Sequence, residues 1–438
     1  MLDLTYIILF ISTALAFLLL CLMNRALGLA VLCALLPTYL LRLTVPLPGT
    51  AGFVLPTTLL EVLFLELFVF WFFTRRRSRL EKRLLGPWIY PATLLLVGAT
   101  IGTLMAPDIL PAAGLYRAYF VEPFLFFLVF TDIVRGRSER RLVLGALGAT
   151  VAVIGVTAIF QKLTGFGIPN PLWQAEETRR VTGFFGFPNA LGLFSAPVTV
   201  LMVGWSVALI RSESLLQRTL SLLPALAAAL GILAILFAVS EGAAVGLAAG
   251  LALLGLLMRP TRLLTALLLI AASATIIFHQ PTQDYVSLMF SLRDESGGVR
   301  RIVWDESVDM LADRPIFGAG MSAYRSTLPP YHEARHIEIF MYPHNFGLNF
   351  WSETGLIGLL GFIWLAILFL LTNSRIRSSF PDEWLPTALI AAMIAILVHG
   401  IVDVPYLKND LAFQFWILLG LTESMRRQFL VLQEEDGD

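Results

Sequence analysis

Three separated stretches of this chain carry side chains suited to acid–base and anion chemistry. The first holds Arg179 and Arg180, the second Arg300 and Arg301, and the third His344. His344 opens HNFGLNFWSETGLIG, at the head of an apolar run, so it stands at a membrane surface. A neutral imidazole there can take a proton from a hydroxyl. Asn345 beside it suits the start of a helix. Glu353 lies deeper in the same run, and an ionisable group inside a membrane faces a partner or a cavity. Arg179 and Arg180 precede a helix predicted to begin at Pro188, next to Asn189. The free N–H groups of such a helix start favour an anion, and an arginine beside them adds a bidentate donor. Between Val299 and Leu311 the apolar residues Val299, Ile302, Val303, Val308 and Leu311 recur at helical spacing. An amphipathic surface helix ending at Arg314-Pro315 is expected, with Arg300 and Arg301 in its first turn. A cation is poorly placed there, because the helix start is already positive, and that local cost points to an anionic ligand. Each group also has a plainer use: arginines anchor loops at lipid headgroups or lie on a solvated face, and a lone histidine is often structural.

Other charged groups fit the same scheme less directly. Arg117 and Glu122 in LYRAYFVEP form an internal ion pair or part of a lipid-phosphate path. His399 and Asp403, four residues apart, are placed for a mutual hydrogen bond on one helix face. His332 and His336 share that spacing, but no carboxylate or cysteine stands at a convincing ligand distance, so no metal site is expected. Cys21 and Cys33 both lie in apolar runs and offer no disulfide framework.

Such residues need elements to hold them, and composition says which. The chain of 438 residues is 57% hydrophobic and 14% charged, with mean hydropathy +0.79. Soluble domains carry about 25% charged residues. The expected class is therefore an all-α polytopic membrane protein forming one integral membrane domain over 1–438. Twelve to thirteen spans are predicted, near 4–23, 26–46, 56–74, 87–105, 112–133, 142–163, 188–210, 219–239, 242–258, 263–279, 346–372, 385–402 and 411–424. The pair 26–46 and 56–74 is the weakest. The first run has no basic region before it and no small-residue cleavage site after it, and reads as a retained helix. One long loop, 280–345, holds short helices. Neutral net charge gives no pointer to nucleic acid. Basic residues concentrate in 74–83, in 134–141 and at the other turns of one face, which the positive-inside rule assigns to the cytoplasm. The loop 164–187, the turn at 240–242, the loop 280–345 and the turn 402–410 then face outward, together with the arginines and His344.

Four stretches together resemble the O-antigen ligase and polymerase (Wzy_C-type) superfamily of membrane glycosyltransferases. They are RRVTGFFGFPN (179–189), SEGAAVG (240–246), RRIVWDESVDMLADRPIFGAG (300–320) and HNFGLNFWSETGLIG (344–358). HGIVDVPYLKND (399–410) also looks familial, and the order matches over roughly residues 60–425. The resemblance implies a GT-C-like helical fold in the bacterial cytoplasmic membrane. It also implies metal-independent transfer of a glycan from a polyprenyl (usually undecaprenyl) diphosphate. The implied acceptor is a hydroxyl on lipid A core, on another glycan or on a protein. Carried over by position, Arg180 and one of Arg300 and Arg301 bind diphosphate, while His344 acts as base or positions the acceptor. Arg179, Asn189, Glu241, Asn345, Glu353 and Arg117 are further candidate substrate contacts. Many relatives carry arginine where this chain has Glu241, and a carboxylate cannot bind diphosphate directly. Either Arg179 or the second loop arginine substitutes, or Glu241 has another role, or the protein is a divergent member with an altered substrate. Two other classes stay open. A transporter would show inverted repeats with helices broken at mid-membrane, and no such halves are seen. A non-catalytic scaffold of envelope assembly is the third.

Overall fold

The computed structural model describes residues 4–46, 54–75 and 86–435. It is 78% helical. Among the described residues, six helices are long and apolar enough to cross a membrane: Gly86–Leu104, Ile109–Ile133, Arg137–Thr164, Pro188–Ile210, Leu215–Ala238 and Phe346–Ser379. A seventh span arises if Arg262–Phe278 and Gln280–Phe290, which meet at a 96° bend, count as one. Shorter apolar helices at Ile7–Met23, Arg25–Ala34, Glu241–Leu257 and Leu385–Gly400 also fall on predicted spans. The chain is thus an all-α multi-pass membrane protein. The span expected at 26–46 does not form whole. Its helix stops after Ala34, a 3-10 turn follows at Leu36–Leu40, and Arg42–Pro46 pairs antiparallel with Val54–Thr58. Pro37 lacks the N–H a continuing helix needs, and the β-branched and proline residues beyond it favour extended chain. The basic turn 74–83 lies almost wholly outside the described residues.

The chain folds as two compact units. The first comprises residues Met1–Pro87, Val121–Ser240 and Tyr406–Asp438; the second comprises Trp88–Phe120 and Glu241–Pro405. In the first, Leu215–Ala238 packs between Arg137–Thr164 and Pro188–Ile210. In the second, Ile89–Leu104 lies along Phe346–Ser379, and Glu241–Leu257 along Leu385–Gly400.

Glycines explain the closeness of the first of these second-unit pairs. A Cβ added at Gly98 would sit 2.3 Å from the Gly358 nitrogen, and one at Gly361 would sit 2.5 Å from the Leu95 nitrogen. Small residues let membrane helices approach backbone to backbone, where dispersion is greatest. Gly98→Leu should therefore push the pair apart and cost about 3 kcal/mol or more of stability. Thermal unfolding in detergent would read that as a lowered Tm, and an unchanged Tm would refute the packing argument.

Gly355 serves a different purpose. Its φ of 68° and ψ of −179° interrupt the helix Phe346–Ser379. Side chains rarely adopt such angles, so glycine is required there. The break frees backbone groups, and the segment after Pro315 satisfies them. The Ser352 carbonyl accepts from Ala319 N–H at 2.8 Å and Gly320 N–H at 3.0 Å, and Leu356 N–H donates to the Ile316 carbonyl at 2.9 Å. Met321 N–H reaches the Gly102 carbonyl at 2.8 Å, which ties the same segment to Ile89–Leu104. The helix Glu295–Asp313 precedes this segment and docks through Met310 and Leu311 onto Ala319, Ala323, Tyr324 and Leu328. Val308, expected on its buried face, is 51% exposed, while Ser307 and Glu306 turn inward instead. Glu306 accepts the Glu333 and Ala334 N–H groups and meets His332 Nδ1 at 2.9 Å, so loop contacts decide that face.

Candidate active site

The second unit gathers several predicted residues around one turn, 400–405. His344 precedes the helix Phe346–Ser379 in a left-handed conformation, φ 51°. A non-glycine residue in that region is held there by its surroundings, and the bonds that hold it are visible. Asn345 is the N-cap, its Oδ1 accepting from Leu348 N–H at 3.0 Å, as expected from its type. Its amide nitrogen also donates to the Ile401 carbonyl at 2.9 Å. On the other side, Trp304 Nε1 donates to the Pro343 carbonyl at 2.9 Å. The rings of Phe340 and Tyr342 lie 5.2 and 4.7 Å from the imidazole, centroid to centroid.

His344 Nδ1 lies 3.6 Å from Asp403 Oδ1, a long contact within ion-pair reach. The imidazole is 24% exposed and the carboxylate 3%. A carboxylate behind Nδ1 favours a proton on that nitrogen and leaves Nε2 as the basic end. Burial pushes the Asp403 carboxyl up. The His344 contact, the His399 and His344 rings and the Val404 N–H outweigh burial and hold it below its ordinary value. The predicted His399–Asp403 pairing on one helix face is not what forms. The helix ends at Gly400, and Asp403 lies beyond it in the turn, bonded to Val404 N–H at 2.9 Å. His399 is buried alongside, with Nδ1 unpartnered.

The arginine pair separates cleanly. Arg300 is half-buried, and its Nε donates to the Val402 carbonyl at 3.1 Å, one residue from Asp403. Its Nη1 meets Ser296 Oγ at 3.2 Å. Arg301 is exposed. Neither lies in a first helical turn. The helix begins at Glu295, capped by Asp294, a favoured N-cap residue, whose carboxylate accepts from Gly297 N–H at 3.1 Å. The helix-start penalty invoked for these cations therefore does not arise, and Arg300 stands instead on its contact with the turn.

Glu353 is buried, and its Oε2 accepts from Ser322 N–H at 2.5 Å. It anchors the segment that fills the Gly355 break. Arg117 is half-buried within a π-turn, Arg117–Val121, a local widening common at functional positions. Glu241 starts the helix Glu241–Leu257, where a negative charge complements the helix dipole. Its Oε1 accepts the Tyr285 hydroxyl at 2.7 Å.

In the first unit, Pro188 is the first residue of its helix, as expected. The loop before it is built on Gln161. That side chain accepts from Thr182 and Gly183 N–H at 2.9 and 2.8 Å and donates to the Gly183 carbonyl at 2.9 Å. Arg180 donates to the Ala238 and Val239 carbonyls, both at 3.0 Å, at the C-terminal end of the helix Leu222–Ala238, where a cation is favoured. Arg179 donates to the Gln174 and Lys162 carbonyls at 3.1 and 3.0 Å and braces the loop. Asn189 Oδ1 accepts the Ser240 hydroxyl at 3.0 Å. Arg180 and Asn189 thus both lie against the 238–240 turn.

Fold and site together define a multi-pass helical membrane protein with a histidine–carboxylate pair and an arginine on one turn. Residues 226–363 match the family model Wzy_C, O-antigen ligase, and this match supports the resemblance to the O-antigen ligase and polymerase superfamily. The matched segment includes Glu241, Arg300, His344, Asn345 and Glu353. No curated protein matches the chain significantly.

Proposed function

We propose that this protein transfers an oligo- or polysaccharide from a polyprenyl diphosphate to an acceptor hydroxyl at the outer face of the bacterial cytoplasmic membrane. The observation that carries the reading is the pairing of His344 with Asp403 on the turn that also engages Arg300. Nε2 of His344 takes the proton from the acceptor hydroxyl as its oxygen bonds to the anomeric carbon. The bond from that carbon to the diphosphate oxygen breaks, and the lipid diphosphate leaves with the electron pair. Arg300 meets the charge that develops on the leaving group, and its contact with the Val402 carbonyl fixes it in advance. Asp403 acts through His344, holding the ring's orientation and stabilising the imidazolium. Arg180, in the first unit, is given a second diphosphate-binding role, with Asn189 beside its turn. Arg179 is assigned a positioning role in the loop that carries Arg180, and Glu353 one at the Ser322 turn. Arg117 is kept as a candidate contact to lipid phosphate.

Purified protein in liposomes should transfer glycan from a polyprenyl-diphosphate-linked oligosaccharide and release polyprenyl diphosphate. Arg180→Ala should slow this by about 10²–10³, the scale set by loss of one charge-stabilising donor. Absence of both transfer and release with lipid-core, glycan and peptide hydroxyl acceptors, together with unchanged envelope glycans by mass spectrometry after gene deletion, would overturn the reading.

A further inference from the structure

Glu241 and Tyr285 form an exposed polar–aromatic pair that the reaction described above does not use. The Tyr285 side chain belongs to the helix Gln280–Phe290 and is 55% exposed. Its hydroxyl is aimed by the 2.7 Å bond to Glu241 Oε1. Glu241 is itself exposed, and a carboxylate can accept several hydrogen bonds on its two oxygens. The pair is contiguous with the candidate active site. At Gly242, the next residue, an added Cβ would lie 2.8 Å from Val402 Cγ2 and 2.9 Å from His399 Cδ2. Val402 supplies the carbonyl that holds Arg300, and Asp403 follows it.

We infer that Glu241 and Tyr285 form a sugar-recognition subsite, in which the carboxylate accepts hydroxyl groups of the donor glycan and the tyrosine ring lies against the sugar's C–H face. The inference rests on the function proposed above and names the part of the substrate that this end of the site reads. A pyranose presents adjacent hydroxyl donors at its rim and an apolar C–H surface on its face. A carboxylate matches the first, and an amphipathic ring held by its hydroxyl matches the second. The diphosphate, being itself an acceptor, finds no hydrogen-bond donor on Glu241. The subsite therefore sorts donors by glycan and leaves the lipid diphosphate to the arginines.

The test compares binding of two probes to the full-length protein in nanodiscs: a sugar-bearing polyprenyl diphosphate and the same polyprenyl diphosphate without sugar. Glu241→Gln keeps an oxygen to accept the Tyr285 hydroxyl but removes the charge. It should weaken the sugar-bearing probe about tenfold, the scale of one hydrogen bond to a charged group, and leave the bare probe within about twofold. Tyr285→Ala should do the same, and Tyr285→Phe should recover part of the loss through its ring. Limited proteolysis across residues 278–291 should match wild type for Glu241→Gln, which separates recognition from mere pinning of the helix. Equal weakening of both probes, or of neither, would overturn the subsite while leaving the proposed function intact. A wild-type protein that binds neither probe would overturn both.

Discussion

His344→Ala should reduce glycan transfer by about 10³-fold or more, and Asp403→Asn by about 10²–10⁴, by analogy with base and orienting carboxylate in hydrolytic triads. The two losses should not add, because Asp403 acts only through the ring it holds. Single-turnover transfer from lipid-linked donor, for both variants and the double variant, would measure this. Independent, additive losses would mean that Asp403 does not work through His344. The pH dependence follows from the direction of the Asp403 shift. Its carboxyl is held below its usual value of 3.8, so the unfolded chain takes up the proton first as pH falls. The stabilisation it gives is full above that value and is lost only as pH drops through the lower folded-state value. The stability difference between wild type and Asp403→Asn should thus stay constant from neutral to mildly acidic pH and fade only in strong acid. An acidic limb in the rate at pH 5 or above would belong to another group.

Arg300→Ala should slow transfer by about 10²–10³, while the neighbouring Arg301→Ala should stay within a few-fold of wild type. The contrast comes from register. Arg300 is half-buried and bonded to the Val402 carbonyl, whereas Arg301 faces outward. Arg300→Lys should recover little, because an ammonium on a flexible stem cannot hold the Val402 carbonyl and a phosphate oxygen in one planar fork. Kinetics on these three variants with one donor decide the matter. An Arg301→Ala defect as large as that of Arg300→Ala would reverse the assignment.

The fold class and several local placements were readable from residue type alone. A 57% hydrophobic chain must be a membrane protein, Asn345 must cap, and Pro188 must start its helix. Three features were not readable, each for a physical reason. The start of the helix at Glu295 is set by an aspartate cap, and apolar periodicity, which begins only at Val299, does not register it. The His344–Asp403 pairing joins residues far apart in the chain, whereas His399 stands at helical spacing from Asp403 and is the nearer partner by sequence. Gln161 lies in the last turn of a spanning helix, where nothing local marks it as the support of the Thr182–Gly183 loop. A polar amide closing an apolar run was the one available signal.

The interruption at Gly355 has a mechanical consequence. In an unbroken α-helix, adding or removing one residue turns everything beyond it by about 100°. Here the short stub from Phe346 to Thr354 is clamped through Trp351, Ser352 and Glu353 to the backbone of Pro315, Ala319, Gly320 and Ser322. Insertions or deletions beyond Leu356 therefore rotate the rest of this helix without turning the His344 end, so the fit of the span and the direction of the imidazole change separately.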